Sequence, residues 1–257
     1  MLKAVAVGVV VAGLSLFPAH SEEQPKDARL FELRTYHAEP GKLDDLLARF
    51  RDHTCKLFEK HGMTNVGYWL PVENPDRLLV YLLAYPDRVA RDAAWKGFLA
   101  DEDWKKAAAA SEVKGKLVGK IESLFLTAAD FSSAFAPGAG GAERLFEMRT
   151  YTTTLGNLAN LHKRFRDHTT GLFEKHGMTN GGYFQLAAGQ KGAADTLLYF
   201  LAHQDGAAAE KSWAGFRADP VWVAAKKASE EAAGGSLTVP DGVKSVFLKP
   251  VDFSPVK

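Results

Sequence analysis

Cysteine is nearly missing from this chain of 257 residues. Cys55 is its only cysteine, so no disulfide can form within the chain, even in an oxidising compartment. The chain contains an internal repeat, and the position that matches Cys55 in the second copy is Thr170. Chemistry that both copies share therefore cannot depend on a thiol.

A surplus of charge of either sign is missing as well. The chain has 32 Lys and Arg against 31 Asp and Glu, which gives a formal net charge of +1. Proteins that bind nucleic acids or acidic membrane surfaces usually carry a basic surplus, which neutralises phosphate groups. We therefore expect no nucleic-acid partner.

Motifs that identify metal and nucleotide sites are also missing. The sequence has no HExxH motif, no Cys/His cluster, no GxSxG motif and no P-loop. His53 and His61 fall on one predicted helix, but at 1.5 Å per residue they lie about 12 Å apart, too far to share an ion. We expect no metal site, and the missing motifs argue against hydrolase and nucleotide chemistry.

The first apolar run is too short for a lasting membrane anchor. Residues 4–17 are apolar apart from Ser15 and glycines, and small residues follow at Ala19 and Ser21. A spanning helix needs about 20 apolar residues, whereas a short run that ends in small residues is typical of a secretory signal peptide. We predict that residues 1–21 are cleaved, that the protein is periplasmic or secreted, and that no stable membrane span remains. A retained anchor is the alternative.

A duplication organises the rest of the chain. The motif RFRDHT at residues 49–54 returns at 164–169, and LFEKHGMTN at 57–65 returns at 172–180. A repeat of this length suits a small domain that pairs with its copy, and it is too long for a solenoid unit. We predict a first repeat at 29–132 and a second repeat at 144–254, joined by a flexible Gly/Ala-rich linker at 133–143.

Each repeat is predicted to follow the ferredoxin-like order β-α-β-β-α-β, so the fold class is α+β. Residues 30–36 alternate between apolar and polar, as a strand does. A helix after Pro40-Gly41 has a stripe of apolar or weakly polar residues at helical spacing: Leu43, Leu46, Leu47, Phe50, Thr54, Leu57 and Phe58. The remaining elements of the first repeat are predicted strands at 63–70 and 78–85, a broken helix from 87 to about 117, and a strand at 121–127.

Several short motifs in both repeats resemble the NIPSNAP domain. In the first repeat they are Phe31-Glu32-Leu33-Arg34-Thr35-Tyr36, Pro40-Gly41-Lys42-Leu43, Lys60-His61-Gly62, Gly67-Tyr68-Trp69, Tyr81 and Asp101-Glu102-Asp103-Trp104. The resemblance implies a dimeric α/β-barrel, in which two ferredoxin-like sheets pack face to face, and here one chain can supply both. Relatives of this barrel include cofactor-independent monooxygenases, haem-degrading enzymes and proteins that only bind small molecules, so the fold leaves the reaction open.

The first strand supplies the first candidate ligand-binding residues. If Phe31 and Leu33 face the helices, Arg34 and Tyr36 face the barrel interior. An arginine beside a phenol can bind a carboxylate or a phenolic oxygen of a ligand. The alternative is that Arg34 forms a structural ion pair with Glu32. The corresponding candidates in the second repeat are Arg149 and Tyr151.

Tyrosines and histidines supply the other candidates. Tyr68 and Tyr81 could line a cavity, although such residues more often form ordinary core. His61, at the end of the first helix, could bind a ligand or serve as an axial ligand of haem. Its alternative role is a favourable interaction with the negative end of the helix dipole. The corresponding residues of the second repeat are His176, Tyr183 and Tyr199.

The function favoured by the sequence is binding of a small, largely apolar molecule in the barrel, with catalysis left open. One alternative is a cofactor-independent monooxygenase or a haem-binding or haem-degrading enzyme of the same barrel. Haem is compatible with the sequence, which requires no cofactor. A second alternative is a structural or protein-interaction module. The two repeats are expected to pair within the chain, and a homodimer of such chains is also compatible.

Overall fold

The computed structural model describes residues 27–133, 135 and 143–257. The predicted signal peptide at 1–21 and most of the predicted linker lie outside these residues. Within the described ranges, no helix combines the length and the apolar character needed to cross a membrane.

The described elements follow the predicted order in both repeats. The strands of the first repeat are β1 (Leu30–Ala38), β2 (Thr64–Pro71), β3 (Leu78–Tyr85) and β4 (Val118–Ala128), and those of the second are β5 (Leu145–Thr153), β6 (Thr179–Leu186), β7 (Thr196–His203) and β8 (Thr238–Pro250). The helices are α1 (Leu43–Arg49), α2 (Cys55–Lys60), α3 (Arg88–Ala100) and α4 (Glu102–Ser111), then α5 (Leu158–Arg164), α6 (Thr170–Lys175), α7 (Gly206–Ala218) and α8 (Pro220–Ala232).

The eight strands form one closed barrel in the order β1-β3-β2-β8-β5-β7-β6-β4. The two repeats meet along two antiparallel seams, where β2 pairs with β8 and β4 pairs with β6. Closure leaves neither sheet with a free edge. The predicted fold class, α+β with two ferredoxin-like repeats that pair as a barrel within one chain, is confirmed.

Apolar side chains from both repeats fill the barrel interior. Phe31 and Leu33 belong to this cluster, and the ring centroids of Phe31 and Phe184 lie 4.9 Å apart. Trp69 stacks on Phe200 with 5.4 Å between centroids. Each repeat therefore supplies half of a shared core.

This arrangement corrects the predicted orientation of the first strand. Phe31 and Leu33 face the barrel interior, so Arg34 and Tyr36 face the helices. Both faces of β1 are buried, and alternation alone does not tell which face meets which layer. The closed interior excludes water and takes apolar residues, whereas the helices offer polar partners to an outward-facing arginine.

The helices cover the outer face of the sheet. Leu46, Phe50, Leu57 and Phe58 are buried against that face, as the predicted apolar stripe requires. The break between α3 and α4 falls at Asp101, whose carboxylate accepts a hydrogen bond from the Asp103 amide at 2.8 Å and so caps α4. The space between helices and sheet contains the candidate site.

Candidate functional site

A cavity of about 570 Å³ lies in the first repeat between the outer face of β1 and the helices. We call it the first-repeat cavity. Its size is within the range of about 300–1,000 Å³ that is common for small-molecule sites. It is lined by Arg34, Tyr36, Arg49, Phe50, Thr54, Phe58, Arg91, Trp95, Phe98, Leu99, Trp104, Ala108, Glu112, Lys116, Val118 and Ile121. The candidate site therefore lies outside the barrel. The prediction from the sequence, which placed it in the barrel interior, is corrected.

A fully buried carboxylate, Glu32, organises the β1 side of the site. Burial opposes its ionisation, but the hydrogen bond from Arg91 and the charge of Arg34 outweigh burial and lower its pKa to about 2. The group is therefore ionised at neutral pH. It accepts hydrogen bonds at 2.5–3.2 Å from Arg34, Tyr85, Arg91, Trp95 and Ser123.

Arg34 forms a structural ion pair and also borders the cavity, so it has features of both predicted roles. Its Nη1 lies 2.5 Å from Glu32 Oε1, which is the ion pair of the alternative interpretation. Its Nε donates to the Tyr81 hydroxyl at 2.9 Å, and its guanidinium lies over the Trp95 ring at 4.3 Å. The same side chain borders the cavity beside Tyr36. A structural ion pair thus fixes an arginine where a ligand could reach it.

A π-helical turn, Phe50–Thr54, joins α1 to α2. The Thr54 hydroxyl donates to the carbonyl of Arg49, five residues earlier, at 3.1 Å. Arg49, directly before this turn, and Phe50 and Thr54 within it all border the cavity. The second repeat has the same turn at Phe165–Thr169, so the duplicated RFRDHT motif encodes it. Such turns often occur at functional sites.

Arg49 is an almost buried cation in the cavity wall. Its side chain is 5% exposed, and its Nη1 donates to Ser111 at 3.3 Å and to Glu112 at 3.0 Å. Its guanidinium lies 5.2 Å from the centroid of Trp104. The Nε atom is buried and has no hydrogen-bond partner among the residues that the structure describes. Because a guanidinium has five N–H donors, Arg49 has donors available for another acceptor.

Aromatic rings form much of the remaining wall. Phe58 and Trp95 meet edge to face with 5.4 Å between centroids, and Phe98 and Trp104 lie 4.4 Å apart. Phe50 and Tyr36 bring the aromatic side chains of the lining to six. Flat apolar walls of this kind suit a ligand with a ring system of its own.

The predicted tyrosines lie in the core. Tyr68 and Tyr81 are fully buried and stack with 5.3 Å between centroids. Tyr183 and Tyr199 repeat this pair at 5.2 Å. Tyr81 reaches the site only by accepting the hydrogen bond from Arg34. The structure thus favours the core interpretation for these four residues.

The predicted histidines connect helices. His61 Nε2 lies 2.7 Å from Asp101 Oδ2, and His176 Nε2 lies 2.8 Å from Asp219 Oδ2. A Cβ on Gly97 would approach His61 Nδ1 to 2.8 Å, so glycine gives the ring its space. His61 is not among the residues that line the cavity. In the described part of the chain, no three His, Cys, Asp or Glu side chains are grouped to hold a metal ion.

The second repeat keeps the carboxylate but loses one arginine. Arg149 Nη1 lies 2.5 Å from Glu147 Oε1, and Arg149 Nη2 donates to the Tyr151 hydroxyl at 3.4 Å. Counted from the shared tryptophans, the position of Arg91 is taken by Ala209. His203, in the place of Tyr85, contacts Glu147 at 3.0 Å. The two repeats therefore differ in the charges that surround their equivalent first strands, β1 and β5.

Sequence reasoning missed Arg49, Arg91 and Trp104 as cavity residues. Arg49 is the first residue of RFRDHT, but a period of 3.6 residues places it beside the apolar stripe, whereas the structure buries it in the cavity wall. Arg91 could have been found from the sequence, because it is a charged residue at a position where the second repeat has Ala209, and this difference separates the two copies.

Comparison with known proteins agrees with the fold. The NIPSNAP family model matches residues 31–133 and 146–255. No match was found among curated proteins.

Three solved structures share the barrel at low sequence identity. A putative monooxygenase from Fusobacterium nucleatum subsp. nucleatum ATCC 25586 is 10% identical and has a TM-score of 0.56. The match covers 88% of this chain and 94% of the monooxygenase chain. A putative monooxygenase from Lactobacillus acidophilus NCFM is 9% identical, with coverages of 87% and 94% and a TM-score of 0.53. An anthrone oxidase-like protein is 10% identical, with coverages of 90% and 95% and a TM-score of 0.51. These likenesses concern the fold, but the family model spans most of both repeats, and the chain belongs to the NIPSNAP family.

Proposed function

We propose that the first-repeat cavity binds a small, largely apolar molecule with a flat aromatic part. The observation that carries the proposal is a cavity of about 570 Å³ with six aromatic side chains in its wall. Arg34 and Tyr36 supply polar groups at one side, where they can orient the ligand. We also propose that the protein is exported, on the strength of the short apolar run near its N-terminus.

A second candidate is oxidation of the bound molecule without a cofactor. Two structural neighbours are described as putative monooxygenases and a third as anthrone oxidase-like. Arg34, Arg49 and Arg91 would favour the anionic form of an acidic phenol in the cavity. The anionic form of a phenol is electron-rich and reacts with dioxygen more readily than the neutral form. For this reaction the protein would need to supply little more than a dry cavity of the right shape.

Haem does not fit the first-repeat cavity. Axial ligation of haem uses histidine, cysteine, methionine or tyrosine. The residues that line the cavity include none of the first three. Its only tyrosine, Tyr36, is hydrogen-bonded to Arg34 at 3.4 Å. His61, the predicted axial candidate, is held by Asp101 outside the cavity wall.

Binding can be tested with N-phenylnaphthylamine, a neutral aromatic probe that fluoresces in apolar surroundings. The purified mature protein should bind it saturably. Ala108 borders the cavity, so Ala108→Trp should fill space and weaken binding at least about tenfold, the equivalent of about 1.4 kcal/mol. The matched control is Lys226→Trp, at the corresponding exposed position of the second repeat, which should leave binding unchanged.

Melting curves of both variants establish that they are folded. If Ala108→Trp binds the probe as the unmodified protein does, the cavity assignment is wrong. If the unmodified protein binds no probe at all, the structural or interaction-module alternative gains support.

A further inference from the structure

The charges around the first-repeat cavity do not balance. Four cations border it, whereas one carboxylate, Glu112, does so. Glu32 and Asp92 add two more negative charges through their ion pairs with Arg34 and Arg91. Four cations against three carboxylates leave a surplus of one positive charge. The four cations are Arg34, Arg49, Arg91 and Lys116.

This surplus lies in surroundings that make it costly. Arg34 and Arg49 have side chains that are 9% and 5% exposed, so water screens their charges weakly. A neutral ligand that displaced water from the cavity would remove hydration from these cations and return nothing. An anionic ligand would replace that hydration with charge-assisted hydrogen bonds. The charge of the wall therefore selects for an acid.

Arg49 is the cation best placed to bind the acidic group. Arg34 and Arg91 are both committed to Glu32, at 2.5 Å and 2.8 Å. Arg49 instead pairs with Glu112, whose side chain is 37% exposed and can turn towards solvent. The Nε of Arg49 is buried and makes no hydrogen bond within the described residues, so a ligand anion would be bound by the outer N–H groups of the guanidinium. Exchange of Glu112 for a ligand anion would therefore leave no carboxylate stranded in the interior.

The aromatic part of the ligand has its place beside the same arginine. Trp104 lies under the Arg49 guanidinium at 5.2 Å and packs against Phe98 at 4.4 Å. A ring system bound along Phe98 and Trp95 could place a substituent at Arg49. Acid recognition and ring recognition are thus adjacent in one cavity.

We propose that the ligand of the first-repeat cavity is an aromatic acid, a flat ring system with a carboxylate, sulfonate or phenolate group whose oxygen is bound by Arg49. This inference rests on the proposed function and adds the charge of the ligand to it. The anion-binding arginine is then the last residue of α1, directly before the π-helical turn. Lys116, exposed at the cavity rim, adds long-range attraction for the same acid.

A matched pair of probes separates charge from apolar contact. Anilinonaphthalene sulfonate has the ring system of N-phenylnaphthylamine with one sulfonate added. In Arg49→Met, we expect the affinity for the sulfonate probe to fall at least about tenfold relative to the affinity for the neutral probe. Equal weakening of both probes, or an unchanged affinity for the sulfonate, would overturn the inference.

Arg164→Met is the control for structural damage. Arg164 has the same 5% side-chain exposure, lies 5.2 Å from the Trp222 ring, and has a buried Nε without a partner. It is not among the residues that line the first-repeat cavity. We expect Arg164→Met to keep the sulfonate affinity, and a loss equal to that of Arg49→Met would contradict the assignment.

A second variant covers the case in which Arg49→Met does not fold. Lys116 is exposed, so Lys116→Met should fold, and it should lower the affinity for the sulfonate probe about threefold relative to that for the neutral probe. Added salt should have the same selective effect on the unmodified protein, because it screens the attraction. Insensitivity of the sulfonate affinity to both changes would overturn the inference. Neutral-probe binding that responds to Ala108→Trp would still support the proposed function, so the two failures are distinguishable.

Discussion

Arg51 of the first repeat holds Asp252 near the end of the second repeat, with Nε–Oδ2 and Nη2–Oδ1 distances of 2.6 and 2.8 Å. In the equivalent pair the roles are reversed, because Arg166 belongs to the second repeat and Asp130 to the first. Both pairs are partly exposed and contribute little stability by themselves. They belong to a larger exchange of segments between the repeats: the segment after the last strand of each repeat packs on the other repeat.

This exchange predicts that the two repeats stay together when the chain is cut. We expect a protein cleaved at an introduced protease site between residues 136 and 142 to elute from size exclusion as the intact protein does. The two seams and the shared interior hold the halves. The Ser254 hydroxyl, which accepts the Tyr68 amide at 3.0 Å, adds a buried contact across the repeats.

Two halves that elute separately after cleavage under native conditions would contradict intramolecular pairing. The same columns show whether the uncut chain forms a homodimer, which the pairing of repeats neither requires nor excludes.

Loss of the first-strand arginine should harm the second repeat more than the first. Arg149→Met leaves buried Glu147 without an arginine, and we expect the free energy of unfolding to fall by about 3 kcal/mol. Arg34→Met should cost about half as much, because Arg91 still pairs with Glu32 at 2.8 Å. Chemical denaturation of both variants measures the difference.

The double variant Arg149→Met with Glu147→Gln is the control for this explanation. Removal of the stranded charge should restore part of the lost stability. Equal losses in the two single variants would show that Arg91 does not compensate. Probe affinity of Arg34→Met, measured alongside, shows whether Arg34 also serves the ligand.

His162 should make the protein less stable in mild acid. Burial lowers its pKa from 6.5 to about 4, and Asp130 and Arg166 nearby have opposing effects on it. Its folded pKa lies below its unfolded pKa, so the unfolded chain binds more protons between these values, and stability falls as pH decreases through that window. We expect about 1–2 kcal/mol of this loss between pH 7 and 5.

The variant His162→Leu, which restores the residue that the first repeat has at Leu47, should remove that part of the pH dependence. His168→Gln is the matched control, because His168 is exposed on the same helical segment. Parallel stability profiles of His162→Leu and the unmodified protein from pH 7 to 5 would refute the assignment.

Export predicts a new N-terminus at or near Glu22. The apolar run is too short to span a membrane and ends in small residues. Intact-mass spectrometry of the protein from the periplasm or the culture medium checks the expected cleavage. Recovery of an intact Met1 on membrane-bound protein would favour the retained anchor.

The order of the elements could be predicted because the signals are local. Period-two alternation marks β1, and the stripe from Leu46 to Phe58 marks the first helix. Duplication of RFRDHT and LFEKHGMTN made the pairing of repeats predictable as well. The orientation of β1 was not predictable from the same pattern, since helices cover one face and the other repeat covers the opposite face, so both are buried.

The site was only partly predictable for a related reason. Arg34 and Tyr36 were found from their position on a strand, and they do border the cavity. Arg49 reaches the cavity from a position beside the apolar stripe, and Trp104 depends on how α4 folds back after Asp101. Neither geometry follows from periodicity, which assumes regular elements. His61 and His176 were chosen for their chemistry, but carboxylates elsewhere in the fold had already engaged them.

The difference between Arg91 and Ala209 has a consequence for how such a barrel can change over time. When two identical chains build a symmetric dimer, every substitution appears at both symmetry-related places and must be tolerated in both. Fusion of the two copies into one chain removes that constraint, because each half is encoded separately. One half can keep the charges that a ligand requires, while the other is free to lose them and is retained for the strands it contributes.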